Sequence, residues 1–96
     1  MKTTITTNIF YVYKHTWENT NYVYIGKGKG IRLNSNNRNF FWKNIVAKHG
    51  EPKREIIKGN MSEADAFLFE IETISKYRKY MKIVNMTNGG EGISGL

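Results

Sequence analysis

A chain of 96 residues, 40% hydrophobic and 14% aromatic, has room for one packed core and too few residues for two. Fifteen Lys and Arg against eight acids give a net charge of +7, which suits a polyanionic partner, nucleic acid first. The absence of cysteine rules out a disulfide frame, a thiolate zinc site and a cysteine nucleophile. Two histidines cannot build a structural zinc site, and no apolar run reaches membrane-spanning length.

Residues 1–8 are threonine-rich and lack the apolar core of a signal peptide, so a cytoplasmic protein is expected. Residues 9–17 are dense in β-branched and aromatic side chains and predict a strand. Alternation puts Tyr11, Tyr13 and His15 on one face and Phe10 and Val12 on the other. A second run sets Tyr22 and Tyr24 against Val23 and Ile25. Paired as a hairpin across Glu18-Asn19-Thr20-Asn21, the runs give an aliphatic core face and an amphipathic face of four phenols and an imidazole. Pattern alone favours four structural tyrosines, because cross-strand aromatic pairs stabilise hairpins by some tenths of a kcal/mol each.

Gly26-Lys27-Gly28-Lys29-Gly30 is neither a Walker loop nor a GxGxxG fingerprint. It reads as a tight turn whose backbone and lysines approach phosphates. Polar residues 34–37 lead into a helix over 39–49, capped by Asn36 or Asn37. Its face is Phe41, Trp42, Ile45 and Val46, and Gly50 and Pro52 end it. Trp42 in that pattern is more often core than a base-stacking platform. Residues 54–58 predict a third strand and Gly59-Asn60 a turn.

Ser62-Glu63-Ala64-Asp65 fits a capping box opening a helix to about residue 80. Its apolar stripe is Ala64, Phe67, Leu68, Ile71 and Ile74. Glu63, Glu70 and Tyr77 line one flank, while Asp65 and Glu72 fall on the opposite one. Read alone, each glutamate is more often solvated than buried. Residues 83–92, rich in asparagine and glycine, predict an irregular ending, with a little extended structure over 83–86.

The ordered set Tyr11-Val12-Tyr13 in place of GIY, an intact Tyr24-Ile25-Gly26, Arg32, Glu70 and Asn85 resembles the GIY-YIG nuclease superfamily. With the NxTxGGEGxSG ending over 85–95, it is most similar to phage and mobile-element members, and the likeness covers residues 9–95. Tyr11 stands where the family has its first glycine, while the tyrosine that matters is kept at Tyr13. The resemblance implies a single domain over 1–96 with an α+β fold, a small three-stranded antiparallel sheet flanked by helices. It implies a divalent-metal-dependent DNA endonuclease. Tyr13 would activate the attacking water, Tyr24 orient water or phosphate, and Arg32 bind the scissile phosphate. Glu70 would hold Mg²⁺ or another divalent cation such as Mn²⁺, and Asn85 would support the site by hydrogen bonding.

A phenol with a reference pKa of about 10 is ionised in about one molecule per thousand at neutral pH. Tyr13 as a base therefore requires neighbouring cations, for which His15, Lys27 and Arg32 are the candidates. Lys27, Lys29, Arg38 and Lys43 are expected to contact nucleic acid, duplex DNA first. The nuclease core uses up the chain, so sequence preference is expected from a protein partner or self-association, in a bacterial or phage-infected host cell. The alternative is a non-catalytic nucleic-acid-binding module on the same fold. A weaker third reading is an inhibitor or interaction domain for an acidic protein.

Overall fold

The computed structural model describes residues 8–85, so the ending over 86–95 lies outside the described residues. Strands β1 (Phe10–Thr16) and β2 (Tyr22–Gly28) form the expected antiparallel hairpin, with Tyr13 opposite Gly26 and His15 opposite Tyr24. Asn19 turns the chain with φ 64°, a left-handed conformation that asparagine tolerates, and Thr20 N–H closes the turn on Trp17 O at 3.2 Å.

Strand β3 (Lys53–Met61) pairs antiparallel with the other side of β1. It is longer than predicted, and Gly59-Asn60 lies inside it instead of forming a turn. The β1–β3 register shifts between Phe10, Val12 and Tyr13, and Asn60 takes φ 56°. Each shift adds one residue on β3, the first at Gly59-Asn60, so glycine and asparagine mark an irregularity within a strand and not its end.

Helix α1 (Phe40–His49) follows a short 3-10 helix at Gly30–Asn34. Its cap is Asn39, whose side chain accepts from Trp42 N–H at 2.8 Å; Asn36 and Asn37 lie too far upstream to reach that amide. Helix α2 (Glu63–Tyr77) starts as expected, with Ser62 accepting from Asp65 N–H at 3.1 Å. It ends at Tyr77, short of residue 80, because residues 78–80 tighten into a turn.

The buried face of α2 is also rotated from the predicted stripe. Ala66, Glu70, Thr73 and Ile74 are buried, while Ala64, Leu68 and Ile71 are exposed. Two lysines on the sheet meet this helix: Lys27 Nζ pairs with Glu63 at 3.1 Å and Lys14 Nζ donates to Tyr77 Oη at 3.4 Å. Of the Glu63–Glu70–Tyr77 flank, Glu70 is buried, Tyr77 half-buried and Glu63 exposed.

A two-residue strand β4 (Lys82–Ile83) then runs parallel to β2, so the order is β3-β1-β2-β4. The α+β reading holds, but the sheet is four-stranded and mixed, not three-stranded and antiparallel. The chain returning from α2 meets the free edge of β2, where Lys82 N–H and Val84 N–H find the carbonyls of Asn21 and Val23 at 2.8 Å each.

Both faces of the sheet are covered. Val12, Val23 and Ile25 pack with Met61, Ala66 and Ile74 beneath α2. Tyr11, Tyr13, Trp17 and Tyr24 pack with Trp42 and Val84 beneath α1. The phenol face is thus a second core layer. Among the described residues no helix is long and apolar enough to cross a membrane.

Candidate functional site

The hairpin register sets the geometry of the phenol layer. Side chains at Tyr13, His15 and Tyr24 leave the same face, with ring centroids 6.4 Å apart for Tyr13–Tyr24, 5.1 Å for Tyr13–His15 and 5.7 Å for His15–Tyr24. Gly26 stands opposite Tyr13, and a Cβ there would run into the end of the Tyr13 ring. The glycine of Tyr24-Ile25-Gly26 is therefore the slot in which Tyr13 lies, 1% exposed.

Arg38, in the segment just before α1, covers this pair. Its guanidinium carbon is 5.2 Å from the Tyr13 ring centre and 5.3 Å from that of Tyr24. Nη1 donates to the Tyr13 hydroxyl oxygen, Nη2 to Arg32 O, and Nε to Ser35 O at 2.8 Å. Three hydrogen bonds and two ring faces offset the cost of burying the charge, which is 7% exposed. Expected on a nucleic-acid surface, Arg38 instead sits inside the cluster.

Arg32, the arginine the resemblance points to, is half-buried. Its stem packs over Gly28 and its Nη1 donates to Ser35 Oγ at 3.4 Å. The structure brings both arginines to Tyr13, with Arg38 in direct contact. No periodicity marks a buried arginine in a loop.

Tyr13 is pushed up to about 12, by burial first and then by Tyr24; Arg38 and Arg32 pull the other way without prevailing. The free protein therefore holds a neutral phenol at neutral pH, contrary to the expectation that neighbouring cations ready it as a base.

Of the three cations expected beside it, Lys27 lies on the other face and His15 is in place but uncharged. Lys27 continues the alternation of Val23 and Ile25, because β2 runs on to Gly28. It therefore faces α2, ion-paired with Glu63, its side chain 10% exposed. His15 is fully buried, and its pKa falls to about 4, chiefly through burial. Its Nε2 lies 2.8 Å from Leu33 O, which can only accept, so Nε2 carries the proton. Nδ1 then accepts from Trp42 Nε1–H at 2.9 Å. His15 is a neutral ring with both nitrogens engaged, which spaces the tyrosines.

This predicts an acid limit. A histidine whose pKa is depressed on folding contributes stability present above its unfolded value, 6.5, and lost as pH falls toward 4. Urea unfolding should show stability dropping from pH 6.5 downward, by about 2 kcal/mol after allowing for solvent screening. The loss starts above the range where carboxylates titrate, and a His15→Gln chain should lack it. A flat profile between pH 7 and 5 would contradict a His15 ring held neutral by burial.

The remaining candidates divide by position. Asn85 lies against β2: Nδ2–H donates to Ile25 O at 2.6 Å and Oδ1 accepts from Ile25 N–H at 3.0 Å. Lys29 lies over Phe10 at 5.4 Å and is exposed, as is Lys43 on α1.

Glu70 is 4% exposed, whereas Glu72 is exposed. Glu70 lies in the α2 row of Ala66 and Ile74, which pack on Val12, Val23 and Ile25. It therefore enters from the layer opposite the phenols. The described contacts unite Tyr13, Tyr24, His15, Arg38 and Arg32, with Glu70 on the other side of the sheet. Among the described residues there is no group of three His, Cys, Asp or Glu able to hold a metal.

Comparison with family models, curated proteins and solved structures finds no significant match.

Proposed function

We propose that this chain is a divalent-metal-dependent DNA endonuclease of the GIY-YIG type, hydrolysing phosphodiesters by water attack. The observation that carries the reading is one guanidinium, Arg38, centred over two tyrosine rings from paired strands, with the Tyr24-Ile25-Gly26 glycine as the slot for Tyr13. Arg32, half-buried, binds the scissile phosphate and stabilises charge as it develops, while Arg38 holds the Tyr13 hydroxyl in place. Tyr24 orients water or phosphate, and Asn85 fixes the strand that carries it.

Glu70 is the residue to hold a single divalent cation, Mg²⁺ or Mn²⁺. One carboxylate suffices for an ion that keeps most of its water. Bound there, the cation would supply Lewis-acid charge to a phosphate oxygen. Tyr13 would activate the water. Duplex DNA is the substrate class, and sequence preference comes from a protein partner or self-association in a bacterial or phage-infected cell.

Supercoiled plasmid incubated with protein and Mg²⁺ is expected to yield relaxed or linear product, with chelation abolishing it. Tyr13→Phe and Glu70→Ala should each slow cleavage about 100-fold. Equal cleavage by either variant removes that residue from the mechanism.

A non-catalytic nucleic-acid-binding module is favoured by a different observation. Tyr13 and Arg38 are sealed from solvent and satisfy each other. DNA binding indifferent to chelator, with no product, selects that reading.

A further inference from the structure

Phe40 and Phe41, at the start of α1, are stacked at 4.8 Å with planes 25° apart, yet 55% and 50% exposed. Two adjacent phenylalanines in water are a cost unless something covers them. Phe41 also forms one wall of a groove of about 260 Å³ between α1 and the β2–β4 edge, with Tyr22 and Ile45. Lys48, His49 and Lys82 stand around it. The groove adjoins the phenol cluster, because Tyr22 is one pleat repeat from Tyr24 on the same face of β2.

Charge selects the occupant. A larger depression of about 330 Å³, against β3, sets Glu72 beside Lys76 and is balanced. The Tyr22–Phe41 groove is lined by no acid, and among the described residues no carboxylate is ion-paired with Lys48 or Lys82. Flat aromatic walls with cations at the rim fit a base and its flanking phosphates.

We propose that the groove between α1 and the β2–β4 edge seats an unpaired base of single-stranded DNA. Phe41 and Tyr22 contact the base, Phe40 extends the stack, and Lys48 and Lys82 take the phosphates on either side. The proposal rests on the nucleic-acid reading above and deepens it: a cutting centre flanked by a single-strand seat prefers DNA with unpaired or displaced bases.

The test is fluorescence anisotropy with a short fluorescein-labelled oligothymidylate and with the same label on a duplex. Phe41→Ala should weaken oligothymidylate binding about tenfold and duplex binding less than about twofold. The double variant Lys48→Gln, Lys82→Gln should reduce the slope of log affinity against log salt by about 1.4, at about 0.7 per phosphate released from a single strand. Phe41→Trp places a fluorophore on the platform, and oligothymidylate should quench it. No loss in Phe41→Ala, equal loss for both probes, or an unquenched Phe41→Trp each overturns the seat. Plasmid cleavage by the unmodified chain separates the two proposals. Cleavage without oligothymidylate binding overturns the groove alone, and oligothymidylate binding without cleavage overturns the endonuclease alone.

Discussion

Trp42→Ala is expected to cost about 4 kcal/mol, the range for truncating a buried indole, and so to consume much of the stability of so small a domain. Trp42 is 2% exposed, bridges α1 to the sheet, and has ring centroids 5.9 Å from His15 and 6.4 Å from Trp17. Its Nε1–H is also the donor that His15 Nδ1 accepts. Trp42→Phe separates the two contributions. It keeps most of the apolar contact and removes the donor, leaving a fully buried nitrogen without its partner, at about 2 kcal/mol. Urea unfolding followed by far-ultraviolet circular dichroism measures both. A Trp42→Phe chain as stable as its parent would show that the indole–imidazole bond contributes nothing.

Gly26→Ala should be nearly as damaging, at about 3 kcal/mol, although it adds a single methyl group. The new carbon would collide with the tip of the Tyr13 ring. That ring has nowhere to go, because it is enclosed and its hydroxyl is bonded to Arg38. Gly59→Ala is the control: its Cβ would meet its nearest neighbour at 3.9 Å, an ordinary contact, so it should change stability by less than about 1 kcal/mol. Equal effects at the two positions would mean that Tyr13 can shift and that the slot is not rigid. Under the proposed function Gly26→Ala also slows plasmid cleavage, because the displaced phenol carries Arg38 with it.

The parts of this fold legible in the sequence were those written in local periodicity. The β1–β2 hairpin, its two faces, the cap at Ser62 and the glycine end of α1 all follow from spacing within a few residues. What escaped depends on contacts distant along the chain. Extended structure from residue 83 was legible, but its parallel pairing with β2 as strand β4 depends on the free edge β2 offers. The bulge at Gly59–Asn60 uses turn residues inside a strand. The face α2 buries is set by Val12, Val23 and Ile25, which lie about 40 or more positions away along the chain.

The candidate site divides in the same way. Tyr13, His15 and Tyr24 share a face because alternation demands it. Arg38, by contrast, reaches Tyr13 across 25 positions from a stretch with no pattern at all. The protonation states were least legible, since burial outweighs the nearby charges at Tyr13, and it is also the chief cause of the depressed His15 pKa.

The carboxamide of Asn85 imitates a peptide group, giving Ile25 both an acceptor and a donor across the strand edge. A carboxylate of the same size can serve only half of that exchange. Hydrolytic deamidation at this one position would set an anion against the Ile25 carbonyl, turning attraction into repulsion. The fastening between the chain's last described residue and the hairpin would come undone without any change in side-chain volume.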